Sequence, residues 1–265
     1  MGKAKEDLMR MKVIEKLSKT DHLSTEDVVS MLQVSESTVR RLFRKMEEAN
    51  EIIHVYGGIK ANPTSGLYHY DKYYSMDIEA KRAIGILAGD KVVNGDSIYI
   101  DCGTTTVHLA SRLAERIQNG EITDISVVTN SMTNLEILSP HCLVIMTGGH
   151  YKLERKSFAG YHSERFVSQF HFTKSFIGVD GFSFDEGFAT SDAEFARLSG
   201  YAAVISDQAF VLMDSSKIGK KSFIVYDKVE NIHQIITDSR IKKEDIERFY
   251  ATGIKLLVAD IQKGE

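Results

Sequence analysis

The sequence has few of the features that mark secreted, membrane or zinc-binding proteins. It has only two cysteines, Cys102 and Cys142, in no CxxC or Cys/His spacing, so we expect reduced thiols and no metal site. No segment approaches the roughly 18 unbroken apolar residues of a membrane helix. The first residues, MGKAKEDLMRMK, also lack the apolar core of a secretory signal. These absences favour a cytoplasmic protein without a membrane partner.

An overall excess of positive charge is also missing, because 33 Lys and Arg stand against 37 Asp and Glu. For a nucleic-acid binder, the distribution of charge matters more than its sum. Residues 1–60 carry eleven basic and ten acidic side chains, and residues 35–46 alone carry four positive charges and one negative. The positive charge is therefore concentrated on one short element.

The pattern of the first 60 residues predicts a helix-turn-helix. A helix is expected over residues 6–17, and Ser24 is a good N-cap for a second, with Asp27 three residues on in an imperfect capping box. Ser35 is expected to cap a third helix. Two short capped helices separated by a tight turn are typical of this motif.

The third helix is amphipathic. One face holds the apolar side chains Val39, Leu42, Phe43 and Met46. The opposite face holds Ser37, Arg40, Arg41 and Arg44, with Thr38 and Lys45 at its edge. A solvated face on an ordinary helix is the alternative interpretation. The segment EIIHVYGG that follows predicts a short hairpin, or wing, which together with the helix favours major-groove binding.

The segments VSESTVRR and IIHVYGGI resemble the N-terminal domain of the DeoR family of bacterial transcriptional regulators. The departures from the family pattern are Leu42 in place of an acid, Asn50 in place of a glycine, and an altered wing around Tyr56. The residues that we expect to contact double-stranded operator DNA are Ser35, Ser37, Thr38, Arg40, Arg41, Arg44, Lys45 and Tyr56.

Composition changes after the wing. Residues 60–74 contain Pro63, Gly66 and four tyrosines, which indicates a linker whose second half packs on another surface. With 43% apolar residues, the chain can bury a core in each of two domains. We expect a DNA-binding domain over residues 1–60, a linker over 61–77 and a second domain over 78–265.

The second domain alternates short strands with helices, which predicts an α/β sheet. The predicted strands are 97–100, 125–128, 142–146, 175–179, 209–213, 234–236 and 255–258. The predicted helices are 78–88, 105–117, 133–138, 193–205 and 243–252.

Polar residues follow the strands, where ligands bind in such sheets. The strand ends read DCGTTT, TNS, TGG, GVDG and DSSK. Any one of them could be only a turn with helix caps, but five in equivalent positions indicate a ligand site, with an anion at the helix after DCGTTT. None is a Walker A or GxGxxG loop, so no nucleotide cofactor is expected.

These motifs, with the segment SFIGVDGFSFDEGFAT and ITD, resemble the DeoR-family sensor domain in the family's order. The resemblance implies a fold related to ribose-5-phosphate isomerase and CoA transferases, and a phosphorylated sugar as effector. It implies that Gly103, Thr104, Thr105 and Thr106 hold the phosphate, and that Asp101, Asn130, Asp180 and Lys217 line the sugar end. Arg155 and Arg197 are further candidates, with a surface or interdomain ion pair as the alternative.

The sequence therefore predicts a regulator, most simply a repressor of a carbohydrate-utilisation operon, that acts as a homodimer or homotetramer. The alternative is a sugar-phosphate isomerase with an added DNA-binding domain, which would use Asp180, Asp185, Glu186 or Lys217. A third hypothesis, RNA binding by the first domain, has less support, because the sequence lacks the exposed aromatic platforms and the GXXG loop of RNA-binding modules.

Overall fold

A computed structural model of the protein describes residues 3–20, 22–49, 51–61 and 70–261. The chain divides into two compact units, Met1–Tyr73 and Tyr74–Glu265. The Pro63 and Gly66 part of the expected linker and Asn50 lie outside the described residues. In the described part of the chain, no helix is both long and apolar enough to cross a membrane.

The N-terminal unit is a winged helix-turn-helix, as the sequence predicts. Its elements are α1 (Lys3–Lys19), β1 (Leu23–Ser24), α2 (Thr25–Leu32), α3 (Glu36–Glu48), β2 (Ile52–Val55) and β3 (Gly58–Ala61). The strands form a small antiparallel sheet in the order β1-β3-β2. The apolar face of α3 lies in the core of this unit, where Val39 and Phe43 are at most 1% exposed. The 3.6-residue period of the sequence therefore identifies the buried face correctly.

The two caps of this unit differ from one another. Ser24 and Asp27 form a full capping box, since each side chain bonds the backbone N–H of the other residue. Ser35 stands at the N-cap of α3 but makes no side-chain bond to the helix backbone. Its hydroxyl instead lies 3.0 Å from the Ser37 hydroxyl and 2.9 Å from that of Thr38. The Ser35 hydroxyl therefore bonds to neighbouring hydroxyls and not to a backbone amide of α3.

The second unit is an α/β domain with more elements than the sequence pattern shows. Helix α4 (Tyr70–Ser75) crosses the division between the units. The helices that follow are α5 (Ile78–Gly89), α6 (Thr106–Gln118), α7 (Met132–Leu138), α8 (Tyr161–Val167), α9 (Ala193–Val204) and α10 (Lys243–Thr252). The strands are β4 (Ser97–Ile100), β5 (Ser126–Thr129), β6 (Leu143–Met146), β7 (His150–Lys152), β8 (Ser157–Ala159), β9 (Phe172–Gly178), β10 (Gly181–Ser183), β11 (Gly187–Thr190), β12 (Ser206–Leu212), β13 (Ile224–Asp227), β14 (Gln234–Asp238) and β15 (Lys255–Ala259).

The main sheet has seven strands in the order β15-β14-β12-β9-β4-β5-β6, all parallel. Each corresponds to a predicted strand, and the predicted fold class is confirmed. Two smaller antiparallel sheets, β7-β8 and β10-β11-β13, and helix α8 are absent from the prediction. Their strands have three or four residues, too few for a period of two to stand out from the surrounding loops.

The chain runs outward from β4 in two directions. It passes first through β5 and β6 on one side, and later through β9, β12, β14 and β15 on the other. The connections therefore diverge between β4 and β9, and this topological switch point is where open α/β sheets bind ligands. Gly103 and Gly178 lie opposite each other here, since a Cβ on Gly103 would stand 3.5 Å from the Gly178 Cα.

Candidate DNA interface and effector site

The polar face of α3 is exposed, as predicted. Arg41 and Arg44 are exposed, and neither forms an ion pair with another described residue. Ser37 is exposed beside them, whereas Thr38 is half-buried. Tyr56 stands at the turn of the wing and is fully exposed. These side chains present hydroxyls and guanidinium groups of the kinds that bind phosphates and base edges.

Two other cations of this helix already have partners. Arg40 donates to the Glu36 carboxylate one turn earlier, at 2.8 Å from Nε. Lys45 binds the Glu6 carboxylate of α1 at 2.6 Å. These bonds are exposed, so their net contribution to stability is small and they can exchange for phosphate contacts. The basic face is thus partly neutralised in the free protein, a feature that helix periodicity does not reveal.

The loop after β4 leaves two threonine hydroxyls unused. Thr106 is fully buried and its hydroxyl is 2.6 Å from the Asp101 carbonyl oxygen and 2.8 Å from that of Gly103, so this side chain shapes the loop. The Thr104 and Thr105 hydroxyls make no hydrogen bond within the described part of the chain. They stand at the N-terminus of α6, where backbone N–H groups and the helix dipole favour an anion.

Asp101 is a buried carboxylate with one free oxygen. Its Oδ2 accepts from the Gly178 amide at 3.3 Å and from the Ser199 hydroxyl at 3.2 Å. Its Oδ1 is buried without a hydrogen-bond partner among the described residues. Burial raises the pKa of Asp101, and the nearby Cys102 amide, the bonds from Gly178 and Ser199 and the charge of Arg155 offset this only in part. The sequence gives no sign of Ser199, which is 98 residues away on α9.

Asn130 lies next to this loop at the end of β5. It is fully buried, and its amide group donates to the Phe158 carbonyl at 3.2 Å. Its Oδ1 has no partner in the described part of the structure. The neighbouring Asn134 donates to the Asp101 carbonyl at 3.0 Å, which ties the ends of β4 and β5 together. Buried polar atoms are nearly always paired with protein, water or ligand, so these oxygens of Asp101 and Asn130 are available as acceptors.

Asp180 binds several groups of the neighbouring loops through one carboxylate oxygen. Its Oδ2 accepts from the Arg155 guanidinium at 2.8 Å, the Thr190 hydroxyl at 2.9 Å, and the amide and hydroxyl of Ser191 at 2.9 and 2.8 Å. Burial alone would raise the pKa of Asp180, but the Arg155 charge and these bonds lower it to about 2. The carboxylate therefore holds the loops after β9 and β11 in place.

The two candidate arginines have separate positions. Arg155 is 7% exposed and lies over the Phe195 ring, 4.7 Å from its centroid, in addition to its ion pair with Asp180. The Arg197 side chain is 56% exposed and pairs with Glu164 at 2.9 Å. Arg155 belongs to the site's framework, whereas Arg197 forms a surface ion pair.

Lys217 is half-buried in a short 3₁₀ helix after β12, beside a buried lysine that the sequence analysis missed. Lys81 of α5 is 2% exposed, and its charge interacts with those of Asp214 and Lys217. Burial lowers the pKa of Lys81 to about 8, although Asp214 partly opposes this shift. From the sequence alone, a lysine in an amphipathic helix is expected to be exposed to solvent. The proximity of Lys81 and Lys217 is therefore apparent only in the folded structure.

Helices α5 and α6 pack against each other, with Lys81 near the start of one and the threonine loop at the start of the other. A Cβ on Gly85 would lie 2.5 Å from the His108 Cβ, and a Cβ on Gly89 would lie 2.6 Å from the Arg112 Cγ. Both contacts advance by four residues, so the helices run in the same direction. One turn before the first of these contacts come Lys81 on α5 and Thr104, which lies just ahead of α6.

Comparison with known proteins identifies both units. Residues 10–65 match the family model of the DeoR-like helix-turn-helix domain, and residues 76–239 match that of the DeoR C terminal sensor domain. The chain belongs to the DeoR family of transcriptional regulators. The predicted family is thus confirmed, and the protein is a DNA-binding regulator with a C-terminal sensor domain.

Individual proteins similar to this chain are also named as transcriptional repressors. A lactose phosphotransferase system repressor of Staphylococcus epidermidis is 32% identical over 251 residues, covering 91% of this chain and 96% of that protein. The transcriptional repressor GlcR of Bacillus subtilis is 28% identical over 256 residues and 96% of each chain. Among solved structures, ribose 5-phosphate isomerase from Plasmodium falciparum matches 54% of this chain and 53% of its own, at 16% identity and a TM-score of 0.41. A likeness at that score carries no conclusion about function.

Proposed function

We propose that the protein represses a carbohydrate-utilisation operon and that a phosphorylated sugar, bound in the sensor domain, controls its affinity for operator DNA. The similar protein of Staphylococcus epidermidis is named as a repressor of a lactose phosphotransferase system, which supports this assignment. The proposed domains are residues 1–60 and 78–265, joined by 61–77. A regulator of this kind works in the cytoplasm, where its DNA lies.

The observation that carries the effector proposal is the set of unused polar groups at the switch point of the sheet. The hydroxyls of Thr104 and Thr105 and the free oxygens of Asp101 and Asn130 come from the ends of adjacent strands. A buried polar atom without a partner costs about 1–3 kcal/mol, so a ligand that satisfies several of them gains affinity. Hydroxyl donors at a helix N-terminus suit phosphate, and carboxylate and amide oxygens suit sugar hydroxyls.

Lys81 and Lys217 extend this interpretation. Two ammonium groups near one another repel, and the charges of Asp214 and Asp77 oppose the effect of that repulsion on the pKa of Lys81. A phosphate dianion near Thr104 would attract both ammonium groups. Gly103 and Thr106 shape the loop, and Asp180 holds the adjoining loops through Arg155.

On DNA, α3 would enter the major groove and the wing would follow the backbone. Arg41 and Arg44 are the available cations for base or phosphate contacts. Arg40 and Lys45 would exchange their carboxylates for phosphates. Ser35, Ser37, Thr38 and Tyr56 would complete the contact set.

Turnover of the sugar is not part of this proposal. Aldose–ketose isomerisation needs a base whose pKa lies near the working pH. The pKa of Asp180 is about 2, and its Oδ2 already has four donors. Glu186 is exposed and bound to Lys221 at 2.5 Å. These carboxylates suit a scaffold and a surface better than a catalytic base.

A single recognition helix reads few base pairs, so specific binding calls for at least two copies on spaced half-sites. We therefore infer a homodimer or homotetramer, held together chiefly by the sensor domain. Light scattering of the full chain, alone and with DNA, measures this directly. A monomer on DNA at micromolar concentration would contradict it.

The test of the function begins with an operator obtained by in vitro selection from random DNA. Fluorescence anisotropy then measures operator affinity with and without a panel of glucose, fructose and galactose phosphates. We expect one of them to change the affinity by about tenfold or more, which corresponds to about 1.4 kcal/mol of coupling. Chromatography of the same mixture should show the sugar phosphate unchanged. A panel with no effect on operator affinity, or conversion of the sugar, would count against the proposal.

A further inference from the structure

Residues 74–77 comprise the end of α4 and the two residues before α5, and three contacts tie them to other described parts of the sensor unit. We call residues 74–77 the junction segment, because the division between the two units falls between Tyr73 and Tyr74. Its Asp77 has a left-handed backbone, with φ of 52°, and it begins α5. A non-glycine residue in that conformation persists only where its surroundings hold it. The three contacts that hold it are described in turn.

The first contact is a hydrogen bond from the buried lysine. The Lys81 ammonium donates to the Met76 carbonyl oxygen at 2.6 Å. Lys81 is 2% exposed, and its charge also interacts with those of Asp214 and Lys217. One side chain therefore touches the junction segment and interacts with the charge of Lys217, a residue of the proposed effector site.

The second contact is an ion pair. Arg240 lies 3.0 Å from the Asp77 carboxylate and 3.2 Å from Asp238. Asp238 is fully buried and accepts from the amide of Ser215 at 2.6 Å. Ser215 begins the short helix that carries Lys217. The segment is thus linked through two carboxylates to the loop after β12.

The third contact is a ring stack. Tyr74 lies parallel to His108, with 5.6 Å between ring centroids and 15° between planes. His108 belongs to the first turn of α6, directly after the threonine loop. Its Nε2 is buried without a hydrogen-bond partner in the described residues, so the ring is held by packing. Each of the three contacts therefore ends on an element that borders the proposed effector site.

We propose that the junction segment is a latch, and that an anionic effector opens it by drawing the Lys81 ammonium from the Met76 carbonyl to the phosphate. The step breaks one hydrogen bond to a neutral oxygen and forms one to an anion, which is the stronger kind. Loss of the bond frees the left-handed turn at Asp77, and the change passes along α4 toward the DNA-binding unit. This inference rests on the proposed function, because it needs an anion at the threonine loop.

Hydrogen exchange of the full chain, followed by mass spectrometry of its peptides, tests the latch. The probes are inorganic phosphate and the panel of glucose, fructose and galactose phosphates. The expected result is slower exchange at residues 103–107 together with about tenfold faster exchange at residues 74–80. Slower exchange at 103–107 with no change at 74–80 would overturn the latch and leave the effector site standing. If no probe slows exchange at 103–107, both proposals fail.

A variant outside the effector site isolates the latch. Arg240→Gln removes the ion pair with Asp77, and Arg165→Gln is the matched control, an exposed arginine on α8. Arg240→Gln should exchange about tenfold faster at residues 74–80 before any probe is added, and should bind the probe more tightly than the wild type, because the segment is already loosened. The control should behave as the wild type. Wild-type exchange in Arg240→Gln would overturn the three-point latch, and Asp77→Asn provides an independent check from the other side of the pair.

Discussion

The two units of the protein place their functional groups in opposite ways. In the N-terminal unit the groups that would meet DNA are exposed, and the core beneath them is apolar. In the sensor unit the functional groups are buried polar side chains such as Asp101 and Asn130, with Asp180 partly buried, and they come from distant parts of the sequence. DNA is a large polyanion read from a surface, whereas a small ligand must be enclosed.

This difference has a consequence for stability. An exposed cation can be removed from α3 with little effect on folding, because its ion pairs are solvated. A buried polar group in the sensor unit cannot be removed without leaving its partner unpaired. Function and fold are therefore separable in one unit and interdependent in the other. Four changes test this contrast, described from the largest expected effect to the smallest.

The largest effect is expected from Arg155→Met. The change removes the guanidinium that binds Asp180 at 2.8 Å and leaves a carboxylate that is only 20% exposed without its countercharge. We expect the free energy of unfolding to fall by about 3–5 kcal/mol. Urea unfolding of the full chain, followed by circular dichroism, measures the loss.

The matched control is Arg197→Met. This arginine also pairs with a carboxylate, Glu164, but its side chain is 56% exposed. Its loss should cost no more than about 1 kcal/mol. Equal effects of the two variants would break the contrast between buried and exposed charges.

The next effect concerns the two unused hydroxyls. The double variant Thr104→Val and Thr105→Val removes both donors at nearly constant volume. If each hydroxyl makes a charge-assisted bond worth about 1.5 kcal/mol, phosphosugar affinity should fall about 100-fold. Calorimetric titration measures this affinity, and operator affinity without effector should stay close to that of the wild type.

Thr106→Val is an informative comparison for this pair. Its hydroxyl is bonded inside the loop, so its removal should lower the free energy of unfolding as well as effector affinity. Normal effector binding by the Thr104→Val and Thr105→Val double variant would mean that the ligand sits elsewhere.

The same contrast explains how far the sequence predicts the molecule. The period of 3.6 identifies the two faces of α3, and the alternation of strands and helices locates the seven strands of the main sheet. The position of a strand end also predicts Asp101 and Asn130 as neighbours. Lys81 and Ser199 are not predicted, because each lies on a helix whose pattern gives no sign that a polar side chain points inward.

The role of Asp180 could not be predicted for a related reason. Its partners Arg155, Thr190 and Ser191 lie up to 25 residues away, on short elements that the sequence pattern does not reveal. Sequence motifs show where polar groups are concentrated. Only the order of the strands decides which of these groups bind one another and which remain available to a ligand.

The third change concerns the exposed face of α3. Arg41→Ala should weaken operator binding by about 1–3 kcal/mol if the side chain reads a base edge, with a smaller effect on random DNA. A phosphate contact would instead weaken all sequences alike and make the salt dependence shallower. The unfolding free energy should not change, and Arg165→Ala is the control. Wild-type operator affinity in a variant with Arg40, Arg41 and Arg44 all changed to Ala would rule out this face as the interface.

The smallest effect is a dependence of effector binding on pH. Burial lowers the pKa of Lys81 to about 8, with Asp214 and Asp77 opposing the shift and Lys217 adding to it. On α6, burial lowers the pKa of His108 to about 4, so that ring stays neutral above pH 6.

An anion beside Lys81 raises its pKa, so the bound state holds the proton more tightly than the free state. Below pH 8 Lys81 is mostly charged before the effector binds, so binding is accompanied by little proton uptake. Above pH 8 binding must take up a proton, and affinity falls as pH rises. Between pH 7 and 9 the loss should be about tenfold, because about one lysine in ten remains charged at pH 9. Lys81→Met should bind more weakly at pH 7 and show a flat profile by calorimetry. A wild-type profile that is equally flat would show that Lys81 does not meet the effector.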